Sequence, residues 1–208
     1  MKIKITTATF LVAIFFAFAN LVSAQSAPAD PKETTFMFYD EITQATVVQM
    51  TTKLEDWSEN NPGQPLRIML NSPGGDVFAS FALMDELTHL RHDGHQLTIA
   101  VYGMAASAAG WIVQAGDKRI IGANSSILIH EISSGSEGKL SKMKEDIERT
   151  DRLQEQFIQL LASRSKLTAR IIHSHIDGGH DWWISAQEAK RLGLVDEIEG
   201  APFAPAHK

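Results

Sequence analysis
The feature that most limits what this chain can fold into is a repeating order of short apolar runs, tight glycine or proline turns and stretches of helical period. Phe36, Met37, Phe38 and Tyr39 make an apolar run too short for a helix and suited to a buried strand. Val47, Val48, Met50, Leu54 and Trp57 then recur at helical spacing over residues 42–57, and Asn60-Asn61-Pro62-Gly63 ends them. The cycle returns with a strand over residues 66–70, a turn at Asn71-Ser72-Pro73-Gly74-Gly75, and a helix carried by Val77, Phe81, Met84, Leu87 and Leu90 that closes near Asp93-Gly94. A third strand over residues 97–101 ends at Gly103 and gives way to an Ala- and Gly-rich helix over residues 105–115. Strands over residues 118–121 and 126–130 follow, then a long amphipathic helix over residues 139–163 and a shorter one from Thr168. Ser185-Ala186-Gln187-Glu188 has the spacing of a capping box and opens a last helix that stops at Gly193. Strand and helix alternating through short turns imply an α/β architecture built from crossover units. Neither an internal repeat nor a second domain is visible.

Residues 1–24 read as an export signal. Lys2 and Lys4 precede an apolar stretch over residues 10–22, and Val22-Ser23-Ala24 places small residues where a signal peptidase cuts. The expected product is periplasmic or secreted; an uncleaved leader would instead tether it to a membrane. Loss of the signal removes two lysines and no acid, so the formal charge falls from −6 to −8. That balance gives no reason to expect nucleic acid as a partner. The chain has no cysteine, which rules out disulfides, a thiol nucleophile and thiolate metal sites. Residues 25–35 are polar, with two prolines, and read as a flexible leader; residues 200–208 read as a loose tail.

Three side chains offer chemistry. Ser107 follows a strand and a glycine, with Ala105-Ala106 and Ala108-Ala109 leaving space around its hydroxyl. His130 closes the apolar strand Ile127-Leu128-Ile129, and Asp181 precedes Trp182-Trp183-Ile184. A hydroxyl, an imidazole and a carboxylate are the minimum set for serine-type acyl transfer. The paired glycines at Gly74-Gly75 let backbone amides approach a carbonyl oxygen. His89, His92 and His95, and His173 with His175, have spacings that could be tried for a metal, but solvated histidines explain them better and no metal is expected.

The segments Met69-Leu70-Asn71-Ser72-Pro73-Gly74-Gly75, Gly103-x-Ala105-Ala106-Ser107, Asn124-Ser125 followed by Ile129-His130, and Asp181-x-x-Ile184-Ser185-Ala186-x-Glu188-Ala189 with Leu192-Gly193-Leu194-Val195-Asp196 stand in an order and spacing that resemble the ClpP-like serine peptidases, the proteolytic subunits of the Clp protease. The resemblance implies the repeated β-β-α spiral shared with crotonases, with a protruding handle helix from Lys139 and a peptidase domain over residues 36–199. It implies a serine endopeptidase with Ser107 as nucleophile, His130 as base and then acid, and Asp181 as the orienting carboxylate. The amides of Gly75 and Ala108 would form the oxyanion hole. Ser134, Gly135, Ser136, Glu137 and Gly138 would lie where the family pairs a strand with substrate. It also implies a homo-oligomeric ring, a heptamer or a double ring, that takes peptides or unfolded chains into a chamber and needs no cofactor.

This chain departs from the family pattern in three places. Glu131 stands where the family usually has glutamine, and an acid there could raise the pKa of His130 or bind it in place of Asp181. The interval from Ser107 to His130 is slightly short, which fits a trimmed turn at Asp117-Lys118. About eleven residues separate the expected cleavage site from Phe36, where the family carries a stretch that helps dock an ATP-driven unfoldase. Together with export, this predicts a peptidase that works without one. The rival readings are a signal-peptide-peptidase-like, membrane-associated enzyme with a Ser–Lys dyad through Lys139 or Lys142, a crotonase-type acyl-CoA enzyme, and a non-catalytic ClpP-like subunit.

Overall fold
The computed structural model describes residues 33–202; the signal segment, most of the leader and the last six residues lie outside them. Seven strands and six helices follow one another in chain order: β1 (Thr34–Phe38), α1 (Gln44–Asn60), β2 (Leu66–Ser72), α2 (Val77–His92), β3 (Leu97–Ala106), α3 (Ala108–Val113), β4 (Lys118–Gly122), β5 (Ser126–Ile129), α4 (Leu140–Arg164), α5 (Ala169–Ile176), β6 (Trp182–Ser185), α6 (Ala186–Leu192) and β7 (Glu197–Glu199). Strands β1, β2, β3, β4 and β7 lie side by side in that order, every pair parallel. This is the mixed α/β architecture expected for a ClpP-like fold.

Local chemistry explains the repeating unit. In β2, Leu66, Ile68, Leu70 and Ser72 alternate inward with no more than 1% exposure, the period-two pattern of a strand packed on one face. Thr43 caps α1 through a reciprocal hydrogen-bond pair with Thr46, and α1 buries Val47, Met50 and Leu54. Asp76 caps α2 by accepting from the Ala79 amide at 2.7 Å, while His89, Arg91 and His92 occupy its last turn, where cations meet the negative end of the helix.

Strand β3 makes the fold more than a flat sheet. Its first half pairs with β4 through Thr98 to Val101, but its second half pairs with β5 through Met104, Ala105 and Ala106. The change of partner falls at Gly103, whose φ of 104° is one that a side chain rarely tolerates. A Cβ there would come within 2.5 Å of the Asn71 side-chain oxygen. Ser125 Oγ accepts from the Gly103 amide at 2.8 Å, and Asn71 Oδ1 from the Met104 amide at 3.1 Å. The strand predicted to end at Gly103 therefore bends there and continues to Ala106. Ala105 and Ala106, expected in the helix, are strand residues, and α3 starts at Ala108.

Other boundaries also move. Thr34 and Thr35, assigned to the leader, belong to β1, and Glu33 holds Arg67 at 2.9 Å. Strand β6, unforeseen, runs antiparallel to β5 with Ile129 opposite Trp182. Strand β7, also unforeseen, adds to β4. Arg119 braces that region: it grips Asp196 through two nitrogens at 2.6 and 3.1 Å and reaches Gln114 Oε1 and the Arg164 carbonyl, each at 2.7 Å.

Behind the site, three helices meet in an aromatic stack. Trp111 of α3 lies 5.2 Å from Phe81 of α2 and 4.6 Å from Phe157 of α4, centroid to centroid. Helix α4 buries apolar side chains in its second half, Phe157, Ile158 and Leu161. Its first half leaves Leu140 and Ile147 more than half exposed.

Candidate active site
The carboxyl ends of three parallel strands converge on one recess. The turn after β2 brings Gly74 and Gly75, the end of β3 delivers Ser107, and the end of β5 delivers His130. Crevices at the carboxyl edge of a parallel sheet are the usual ligand position in such folds. The recess holds about 220 Å³ and is lined by Gly75, Ser107, Ala108 and His130 on its polar side. Val77, Trp111, Ile132 and Phe157 form its apolar wall.

Ser107 sits on a strained elbow. Its φ of 55° and ψ of −127° make it the sole non-glycine residue with positive φ among the described residues. Such a conformation costs about 1–3 kcal/mol and persists only where the surroundings enforce it. Here they do. The Ser107 amide donates to the Leu128 carbonyl of β5 at 2.9 Å, and its carbonyl accepts from Gly110 at 2.9 Å. Gly74 packs so closely beneath that an added Cβ would lie 2.6 Å from the Ala106 carbonyl oxygen and 2.7 Å from Ser107 Cβ. A sharp strand-to-helix turn of this kind lifts a hydroxyl out of the backbone, towards the recess.

The two amides expected to face an oxyanion are free to do so. Ile42 pairs with the turn by donating to the Gly74 carbonyl and accepting from Asp76, and among the described residues the Gly75 N–H has no hydrogen-bond partner. Ala108 opens α3, where a first-turn N–H has no partner within the helix. A Cβ on Gly75 would meet the Ile42 carbonyl oxygen at 2.2 Å, so only glycine fits there.

His130 is half-buried, and its Nδ1 contacts the carbonyl oxygen of Glu131. A carbonyl only accepts, so Nδ1 carries the proton and Nε2 keeps the lone pair that a general base needs. Asp181 lies one step beyond the last β5–β6 rung: Ile129 faces Trp182, and continuing that antiparallel register sets His130 opposite Asp181. Among the described residues no hydrogen bond joins the two side chains. The structure thus gathers Ser107, His130, Gly75 and Ala108 around one recess, while Asp181 is exposed and is not among the residues that line it.

Residues 131–138 form no strand. Ile132 lines the recess beside Ser133, and the Ile132 amide donates to Gln154 Oε1 of α4 at 2.6 Å. Ser134 and Ser136 turn to α4, Ser136 donating to Asp146 at 2.9 Å. Gly135, Glu137 and Gly138 are exposed. The Glu131 carboxylate, expected near His130, instead accepts from the Gly178 amide at 3.1 Å. Sequence reasoning passed over three supports of the site: Gly74 beneath the serine, Ser125 and Asn71 at the bend of β3, and the Glu131 tether. A run of two glycines preceded by Asn71-Ser72 was the available signal for the first two. Nothing local marked the third.

Among the histidines tried for a metal, His95 is buried with Nδ1 on the Gln64 carbonyl at 2.8 Å, while His89 faces Asp93 at 3.8 Å.

The family model for Clp protease matches residues 29–201. Among curated proteins, the ATP-dependent Clp protease proteolytic subunits of two strains of Bacteroides fragilis and of Bacteroides thetaiotaomicron are each 27% identical to this chain over 166 residues. The matches span 73% of this chain and 78%, 73% and 73% of theirs.

Proposed function
The chain belongs to the Clp protease family, and we propose on that footing that it is a serine endopeptidase working through Ser107, His130 and Asp181. Ser107 Oγ attacks the scissile carbonyl carbon while His130 Nε2 takes its proton. The Gly75 and Ala108 amides receive the oxyanion. Collapse breaks the C–N bond as the imidazolium returns the proton to the leaving amine, and water repeats the sequence on the acyl-enzyme. Asp181 stabilises the imidazolium once the His130 ring swings from the Glu131 carbonyl towards it. The observation that carries this reading is the strained Ser107 elbow sharing a recess with His130 and two unspent amides. The apolar wall of Val77, Trp111, Ile132 and Phe157 favours an uncharged side chain just before the cut bond.

Clp proteases in general cut peptide substrates as ring oligomers. For this chain we propose a homo-oligomeric ring, heptameric or stacked as a double ring, with the exposed half of α4 as its interlocking element. The leader supports an exported enzyme that degrades peptides or unfolded chains without an ATP-driven unfoldase. The Ser–Lys alternative is disfavoured. Lys142 donates to Asp146 at 3.0 Å, and that hydrogen bond, with the charges of Asp146 and Glu145, raises its pKa, the wrong direction for a base. Lys139 is exposed at the start of α4.

Hydrolysis of fluorogenic peptides, without nucleotide, tests the proposal. Ser107→Ala and His130→Ala should each lower kcat/KM by about a thousandfold or more, and Lys142→Ala should leave it unchanged. Full activity in Ser107→Ala would remove the serine mechanism.

A further inference from the structure
The turn that carries Asp181 is built from unusually permissive backbone. Gly178 and Gly179 have φ of 86° and 79°, so two consecutive residues sit in the left-handed region at little steric cost and can leave it as easily. The turn's other amides are satisfied locally: Asp177 donates to the His173 carbonyl at 2.8 Å, and Gly179 and His180 to that of Ile176 at 3.2 and 3.1 Å. Gly178 is different. Its amide reaches back 47 positions to Glu131 Oε1 at 3.1 Å. Among the described residues this is the one backbone hydrogen bond that fastens the turn to an element other than its own helix. The residue that makes it directly follows His130.

The β5–β6 ladder gives that bond its meaning. Its rungs run from Ser126 opposite Ser185 to Ile129 opposite Trp182. The ladder stops there; its register, carried one position further, would set His130 opposite Asp181, and the Glu131–Gly178 bond lies beyond that position. Asp181 thus lies in the chain between two fixed points, Trp182 of the ladder and the tethered Gly178. The bond is made at the exposed edge of the molecule, between a side-chain oxygen of Glu131 and a turn whose residues 177–181 are all exposed.

We propose that Glu131 is a positioning residue: its carboxylate pins the Gly178–Gly179 turn and so keeps Asp181 opposite His130. This rests on the Ser–His–Asp reading of the site and adds to it a fourth side chain, one that never touches substrate and acts only through Asp181. What is required of residue 131 is an acceptor at the right reach, not a charge beside the imidazole.

The test is a mutant cycle read by the second-order rate at which a fluorophosphonate labels Ser107. Glu131→Ala should slow labelling about tenfold, and Glu131→Gln, whose amide oxygen also accepts, should hold it within about threefold of the native rate. In an Asp181→Asn background Glu131→Ala should cost less than about twofold, because a residue that works through Asp181 has nothing left to position. Hydrogen exchange of the peptide spanning residues 177–181, measured in the Ser107→Ala protein, gives a readout free of activity: Glu131→Ala should speed it and Glu131→Gln should not. Equal cost of Glu131→Ala with and without Asp181, failure of glutamine to rescue, or unchanged exchange would each overturn the proposal while leaving the serine mechanism standing. Labelling that persists in Ser107→Ala would remove both.

Discussion
At the scale of single residues, the account turns on stored strain at Ser107. A serine with φ of 55° is held by hydrogen bonds to Leu128 and Gly110 and by Gly74 pressed against its Cβ. Function and stability should therefore oppose each other there. Ser107→Gly, free of the strain, is expected to raise the unfolding free energy by about 1 kcal/mol while abolishing hydrolysis. Gly74→Ala should do harm on both counts: its φ of 93° and a Cβ within 2.7 Å of the elbow predict a loss of about 1–3 kcal/mol and of activity. Urea unfolding read beside peptide hydrolysis checks both, and a Ser107→Gly protein less stable than the native chain would contradict the strain argument. The sequence showed which residue types could react, because Ser107, His130 and Asp181 each stand at the end of an apolar or small-residue run. It did not show what holds them. Gly74 matters through a contact 33 positions away, and Glu131 through one 47 positions away; neither leaves a local pattern.

At the scale of elements, long helices and alternating strands were legible, since α1, α2, α4 and β2 carry full periods of their own. Strands β6 and β7, four and three residues long, were not. They exist because β5 and β4 offer them an edge, and propensity over so few residues is weak beside a tertiary partner. The same holds for β3, whose passage through Gly103 depends on Asn71 and Ser125 accepting the amides at the bend. The joint between α4, α5 and the turn to Asp181 is held by His173, 2.9 Å from both Glu155 and Asp177. The hydrogen bond to Asp177, with the charges of both acids, raises the His173 pKa above its ordinary value. A folded-state pKa above the unfolded one means that protonated His173 stabilises the fold. That contribution is complete below about pH 6.5 and fades as pH rises through the raised value. The stability difference between the native chain and His173→Gln should therefore shrink between about pH 6 and pH 9. It should stay below about 1 kcal/mol, since the pair is largely solvated. A difference that grew with pH would invert the assignment.

At the scale of the whole molecule, one mostly parallel sheet, with β3 shared between β4 and β5, brings three loops to a single recess. That arrangement makes a site; the first half of α4 leaves Leu140 and Ile147 more than half exposed. Phe78, Met37 and Trp183 are likewise more than half exposed. The α/β class was legible from alternation alone. The spiral was legible only through the family resemblance, because it depends on β3 exchanging β4 for β5, a choice made by contacts between distant segments. All of this serves the claim that the Ser107 hydroxyl is a nucleophile armed by His130. Mass-spectrometric mapping of the adduct after fluorophosphonate treatment tests it most directly. The account predicts a single adduct on Ser107, lost in Ser107→Ala and formed far more slowly in His130→Ala; an adduct on another residue, or one on Ser107 that forms as fast without His130, would contradict it.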